Sequence, residues 1–311
     1  MKNELIKIMV CPNCGGNLRK VSGKLVCTKK HKFKLIGSVP VFSQLDPYLE
    51  IEAKAWEDEW RKGVSKESLN AYKVNMQVFK KLGFWEESGE AAGFIPSNKE
   101  FRVLDLGCGN GVSTANIEGS VVVGMDLSTN QMVRAKKRFK NTNYVVGDAT
   151  KIPFRDNTFD LVVSINLLHH IKDSGKVLKE IHRVLKKGGK SLTVDPNLYN
   201  PIGFTGRELF KLLGLKHIFP TIPQFALGED ERQFTKSGYY SLFKKSKFKN
   251  FRIIPHRIER LLFFGSVLFP PLTKLSFFKD LLIFTSKFGN KLVQIEPFDN
   301  ICYFWKAEAI K

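Results

Sequence analysis

Acidic side chains are scarce in this chain. It has 30 Asp and Glu against 50 Lys and Arg in 311 residues, a formal net charge of +20. That imbalance points toward anionic partners, nucleic acid or a membrane surface, unless it only keeps a lysine-rich surface solvated. Long apolar runs are also missing. The longest uncharged stretch, residues 261–273, has 13 residues and is broken by Pro270-Pro271, short of the ~20 that a spanning helix needs. Cysteines number only 5, three of them in the first 30 residues, which excludes a disulfide scaffold in so long a chain. The start, Met1-Lys2-Asn3-Glu4-Leu5-Ile6-Lys7, lacks the apolar core of a signal peptide, so a reducing, cytoplasmic compartment is expected. What remains, 43% hydrophobic residues and 24 glycines, is the composition of a globular protein and excludes a disordered or collagen-like one.

The charge is unevenly spread. Residues 1–45 carry a net +8, residues 46–98 a net −3, residues 99–200 a net +6 and residues 201–311 a net +9. The acidic stretch holds Trp56, Trp60, Tyr72, Met76 and Phe79 near helical spacing, which predicts a helical linker between two differently built parts. The organisation expected is therefore a small domain over 1–45, the linker over 46–98 and a large domain over 99–311.

Within the large domain, the β-rich run Phe101-Arg102-Val103-Leu104-Asp105-Leu106 leads into Gly107-Cys108-Gly109-Asn110-Gly111, with a helix expected from Val112. Glycines at this spacing let the backbone turn tightly and approach a ligand. A second strand, Val121-Val122-Val123-Gly124-Met125, ends in Asp126, near the offset at which an acidic side chain meets a ribose in nucleotide-binding α/β folds. Ser128 is placed to cap the next helix, 131–139. A third strand, Tyr144-Val145-Val146, ends in Gly147-Asp148-Ala149, and a fourth, Asp160-Leu161-Val162-Val163-Ser164-Ile165, in Asn166-Leu167-Leu168-His169-His170. A helix with Val177, Leu178, Ile181, Val184 and Leu185 on one face is followed by a turn at Lys186-Lys187-Gly188-Gly189 and a fifth strand, Ser191-Leu192-Thr193-Val194-Asp195.

This succession resembles the class I S-adenosylmethionine-dependent methyltransferases, in particular the ubiquinone-biosynthesis-like, type 11 group. The resemblance covers residues 100–197 and rests on Val103 to Gly111, the Gly147-Asp148-Ala149 corner, Phe159-Asp160-Leu161-Val162 and Leu185 to Gly189. It implies an α/β, Rossmann-like sheet with helices on both faces and S-adenosylmethionine as cofactor. On that implication Gly107, Gly109 and Gly111 pass the methionine part, with Asp105 near its ammonium. Asp126 takes the ribose hydroxyls, Asp148 and the Ala149 backbone read the adenine edge, and Asn166 completes the site. A dinucleotide dehydrogenase would space its glycines differently and place a pyrophosphate at the helix start.

At the N-terminus, Cys11-Pro12-Asn13-Cys14 and Cys27-x-x-x-His31 are thiolate and imidazole ligands suited to a closed, structural zinc site. The surrounding sequence looks like the small zinc ribbon that precedes certain rRNA methyltransferases and many type 11 enzymes. Lys20, Lys24, Lys29, Lys30, Lys32 and Lys34 give it a basic face, either a grip on phosphates or simply a solvated surface.

The acceptor is less determined. RNA is favoured by ribbon and charge. Against it, enzymes acting on exocyclic base amines carry Asn/Asp-Pro-Pro-aromatic after strand four, where this chain has Asn166-Leu167-Leu168-His169. Asp195-Pro196-Asn197-Leu198-Tyr199-Asn200-Pro201 resembles a run in type 11 enzymes encoded with glycan and lipid biosynthesis genes. Phe251-Arg252-Ile253-Ile254 and Ile301-Cys302-Tyr303-Phe304-Trp305 are expected as strands six and seven, with an apolar insertion at 257–297 that suits a pocket lid, plain core or the membrane interface. A small-molecule, lipid-linked or saccharide acceptor is therefore preferred over rRNA or tRNA, and both over a silent scaffold. His169 and His170 are the candidate bases, unless they only shape the helix start.

Overall fold

The computed structural model describes residues 3–42, 101–117, 121–198, 234–256 and 304–311, with isolated positions between 288 and 302. The expected linker, 46–98, and nearly all of the expected insertion lie outside the described residues.

The N-terminal part is a short helix, α1 (Asn3–Ile8), and an antiparallel meander of β1 (Leu18–Val21), β2 (Lys24–Cys27), β3 (Lys32–Ile36) and β4 (Val39–Val41). Next come β5 (Arg102–Leu106), α2 (Val112–Asn116), β6 (Val121–Asp126), α3 (Thr129–Arg138), β7 (Asn143–Val146) and β8 (Phe159–Ile165). A 3-10 turn (Leu168–His170), α4 (Ser174–Val184), β9 (Leu185–Pro196), α5 (Lys236–Lys244), β10 (Asn250–His256) and β11 (Phe304–Ile310) complete the described elements.

Among the described residues 11 strands form one sheet, in the order β1-β2-β3-β4-β7-β6-β5-β8-β9-β11-β10. The five strands from β7 to β9 run parallel. Val103, Leu104, Leu161, Val162 and Val163 are all buried, the near-continuous apolar runs of strands covered on both faces. Local chemistry sets the helix starts. The Ser128 hydroxyl accepts from Gln131 N at α3, and the Asp173 carboxylate accepts from Lys176 N at α4. The expected stripe of α4, Val177, Leu178, Ile181 and Val184, is buried against the sheet.

Two boundaries move. The turn expected at 186–189 lies inside β9, where pairing jumps from Phe159↔Leu185 to Leu161↔Lys190 and Gly188 takes φ +74. Strand seven runs Phe304–Ile310, antiparallel between β9 and β10, rather than stopping at Trp305. Its continuation buries Ala307 and Ala309, small residues of low β-propensity that give little sequence signal.

The meander joins the sheet through Val41↔Val146, parallel, with Phe42 N donating to Val146 O at 2.9 Å. Leu5, Met9, Leu25, Phe33 and Phe42 belong to the same buried cluster as Leu104, Phe154 and Phe159. Among the described residues no helix is long and apolar enough to cross a membrane.

Candidate active site

The residues expected at the cofactor fall at or just beyond the C-terminal ends of the adjacent parallel strands β5, β6, β7 and β8, where open α/β sheets place ligands. Gly107 and Cys108 donate their N–H groups to Met125 O, which ties the glycine turn to β6. Gly111 sits at φ +72, and a Cβ there would lie 2.7 Å from the Ala135 Cβ and the Tyr144 ring. Gly109, at φ +51, has only the Gln131 side chain at 3.7 Å from such a Cβ. Gly111 is thus demanded by packing, whereas Gly109 borders open space that a ligand can enter.

Asp126 closes the turn from the other side. Its Oδ2 accepts from Gly109 N at 2.8 Å and its Oδ1 from Ser128 N at 2.9 Å. Burial pushes this carboxyl above the ordinary range, against the pull of those two N–H groups. Each oxygen keeps a further lone pair for another donor. Asp105, 3% exposed, accepts from the Thr114 hydroxyl at 2.6 Å. The Asp148 carboxylate, beyond β7, is turned onto Thr150, whose N–H and hydroxyl donate at 2.7 and 2.8 Å. Ala149, the next residue, is partly buried and packs against the main hydrophobic cluster.

Asn166 is the telling residue. It sits at φ +55, donates its N–H to Val194 O, and its side-chain Oδ1 is buried without a partner among the described residues. A buried acceptor left unpaired costs ~1–3 kcal/mol, so it fits a ligand that brings a donor. An ammonium, ribose hydroxyls and an amino-bearing base, all present in S-adenosylmethionine, match this set of acceptors.

Just beyond Asn166, in the turn that follows β8, the rings of His169 and His170 lie 3.8 Å apart between centroids, tilted by 42°. His169 is buried, and its Nδ1 lies 3.0 Å from Oδ1 of Asp195, the residue that nearly ends β9. In the sequence Asp195 belongs to a motif 26 residues beyond His169, and nothing local links the two. Burial, with Asp105 and Asp126 nearby, pushes the Cys108 thiol well above its ordinary value, which disfavours the thiolate a nucleophile needs.

The metal-ligand candidates also converge. One donor atom from each of Cys11, Cys14, Cys27 and His31 lies within 4.8 Å of all the others. Cys14 and Cys27 sulfurs are 3.7 Å apart, and His31 Nδ1 is 3.5 Å from Cys11 and 3.3 Å from Cys27. Tetrahedral zinc, with Zn–S near 2.3 Å and Zn–N near 2.0–2.1 Å, requires edges of about 3.5–3.8 Å, close to these three separations. Thiol ligands with an imidazole are the chemistry that ion takes.

Topology and glycine turn together define a Rossmann-like, class I methyltransferase fold. Residues 104–193 match the family model described as a methyltransferase domain. An uncharacterized protein of Methanocaldococcus jannaschii is 31% identical over 197 residues, 63% of this chain and 83% of that protein. A demethylmenaquinone methyltransferase of Chlorobaculum parvum is 30% identical over 179 residues, 53% of this chain and 73% of that one. Among solved structures, phosphoethanolamine N-methyltransferase 2 of Haemonchus contortus with S-adenosyl-L-methionine is 24% identical at a TM-score of 0.47, covering 74% of this chain. The match spans only 53% of the nematode enzyme. The chain belongs to the S-adenosylmethionine-dependent methyltransferases.

Proposed function

We propose that the protein transfers a methyl group to an oxygen or nitrogen of a small-molecule, lipid-linked or saccharide acceptor. Bound S-adenosylmethionine supplies a methyl carbon made electrophilic by its sulfonium. The chain's own residues position the reactants and remove one acceptor proton. Gly107, Gly109 and Gly111 would border the methionine part, Asp105 and the unpaired Asn166 Oδ1 would meet donors there, and Asp126 would hold the ribose. Asp148 and the Ala149 backbone would read the base once the carboxylate swings from Thr150. His169 and His170 are the candidate bases.

The observation that carries this reading is the buried His169–Asp195 pair, three residues beyond Asn166. A held imidazole beside the cofactor end suits an acceptor with an O–H or N–H to deprotonate. A 30% identical relative named a demethylmenaquinone methyltransferase supports a small-molecule acceptor. The test supplies labelled S-adenosylmethionine to a lysate separated into RNA, lipid and soluble pools. Label in the lipid or soluble pool is expected, and label confined to RNA would overturn the assignment.

One observation favours RNA as the second reading: Lys20, Lys24, Lys29, Lys30, Lys32 and Lys34 are all exposed on the N-terminal meander. We further propose that Cys11, Cys14, Cys27 and His31 hold one structural zinc. Metal analysis of anaerobically prepared protein should find one ion per chain, and its absence would exclude the site.

A further inference from the structure

A carboxylate with no exposed surface is expensive to keep in a protein interior unless donors surround it. Asp195 is 0% exposed and has three of them. Its Oδ1 faces the backbone N–H of His169 at 3.2 Å and the Nδ1 of the same residue at 3.0 Å. Its Oδ2 accepts from the Tyr239 hydroxyl at 3.0 Å, and that hydroxyl lies 2.8 Å from the Thr193 hydroxyl. Tyr239 and Thr193 are themselves 0% exposed. If only shape were needed at this place, apolar residues would fill it at less cost.

The chain of groups ends at the proposed site. Ile165 pairs with Val194, so Asp195 lies beside Asn166, whose Oδ1 is, with the Ser164 and Ser191 hydroxyls, a buried oxygen without a partner among the described residues. With its N–H and Nδ1 turned to Asp195, His169 has Nε2 left for a substrate. The other titratable groups around it are its tilted neighbour His170 and Asp126, which interacts electrostatically with His170.

We infer that Asp195, held by Tyr239, is the positioning residue that fixes His169 as the Nδ1–H tautomer and so makes its Nε2 the base. This rests on the reading of His169 as a base given above. The acceptor O–H or N–H bond breaks and its proton goes to His169 Nε2. The electron pair left on the acceptor forms the bond to the methyl carbon while the methyl–sulfur bond breaks, leaving a neutral thioether. The imidazolium that results lies 3.0 Å from the Asp195 carboxylate, which stabilises it as the charge appears. Burial, reinforced by Asp195, keeps the Tyr239 phenol protonated well beyond its ordinary range, so it stays a donor.

The test uses the full chain and needs no known acceptor for its first arm. Long-range nitrogen–proton NMR of the imidazoles should show His169 as Nδ1–H in the wild type and as Nε2–H in Asp195→Asn, whose amide offers Nδ1 a donor. Tyr239→Phe keeps the carboxylate but removes the hydroxyl that holds it, so its Nδ1–H tautomer should be less populated than in the wild type. If the first variant folds poorly, full Nδ1–H occupancy in this one overturns the inference. In the second arm, label transfer into the combined lipid and soluble extract should fall about 100-fold or more in Asp195→Asn. S-adenosylhomocysteine affinity should stay within twofold. An unchanged Nδ1–H tautomer in folded Asp195→Asn overturns the positioning role. Full transfer by His169→Gln, beside a switched tautomer in Asp195→Asn, would instead remove the base role and leave the positioning geometry intact.

Discussion

The backbone N–H of Phe42 donates to the carbonyl of Val146 at 2.9 Å, one residue before the Gly147-Asp148 corner. On the far side of that corner Val10 N donates to Pro153 O and Arg155 N to Ile8 O, both at 3.0 Å. Arg155 also reaches Lys7 O and the Asn17 side chain. The segment expected to read the adenine is thus strapped at both ends to the element that carries Cys11, Cys14, Cys27 and His31. Metal removal should loosen both straps, because the four donors are what closes that small element. Stripping the ion is expected to weaken S-adenosylhomocysteine binding about tenfold, and by reciprocity the bound nucleoside should slow metal loss to a chelator. Calorimetry on metal-free protein checks the first, and an unchanged Kd would show that the corner stands alone.

Two alanine substitutions should separate packing from ligand access. Gly111→Ala puts a methyl 2.7 Å from Ala135 and Tyr144 at φ +72. Left-handed strain and overpacking should together cost about 2–4 kcal/mol of stability. Gly109→Ala meets only Gln131 at 3.7 Å, so its stability loss should stay near the ~1–2 kcal/mol of the backbone strain alone. It should nevertheless lose most nucleoside affinity, since the methyl occupies the open side of the turn. Urea denaturation and calorimetry on both variants give the comparison. Equal affinity losses per unit of stability lost would remove the distinction.

The parts of this architecture that were legible in the sequence are the local ones. Ser128, the α4 stripe, the glycine turn and Asp126 each announce themselves within a few residues through a cap, a period or a positive φ. The clustering of Cys11, Cys14, Cys27 and His31 was legible by spacing. The His169–Asp195 contact was not, because it joins residues 26 apart that meet only once β8 and β9 lie side by side. Tyr239 lies 44 residues beyond Asp195 and belongs to no motif. The docking of β4 on β7 is a single paired position, Val41↔Val146, with nothing in either strand to favour that edge over solvent. The end of strand seven was missed because alanines carry it inward.

Asp126 should show opposite pH trends in the free and bound protein. Its folded-state carboxyl titrates above the ordinary value, chiefly through burial. A raised folded pKa means the folded form holds the proton more tightly. That stability is fully present below the unfolded-state pKa and is lost as pH rises through the folded one. The free protein should therefore lose stability across that window, and Asp126→Ala should lose that part of the slope. Nucleoside affinity should rise across the same window, because ribose hydroxyls donate best to the ionised form. At neutral pH Asp126→Ala should weaken nucleoside binding by about 1–3 kcal/mol. Melting and titration series with and without S-adenosylhomocysteine read both trends. Parallel slopes for wild type and variant would remove Asp126 from the ribose role.

The exposed lysines of the meander give the last prediction, which weighs the two acceptor classes. Lys29, Lys30 and Lys32 flank the proposed ligands Cys27 and His31 and are exposed to solvent. Lysine–phosphate contacts act through released counterions, so affinity built on them falls as a power of salt, about one power per phosphate. If the lysines only solvate the surface, RNA retention should be confined to low salt and vanish near 0.2 M. Changing Lys29→Glu, Lys30→Glu and Lys32→Glu together should then abolish that retention while methyl label in the lipid and soluble pools stays as in the wild type. The zinc content of the triple variant must match the wild type, since its changes adjoin two ligands. RNA that stays bound through physiological salt, together with label in the RNA pool that the triple variant loses, would reverse the order of the two readings. A basic ribbon built for phosphates cannot keep its function under that charge reversal, whereas one that merely stays wet can.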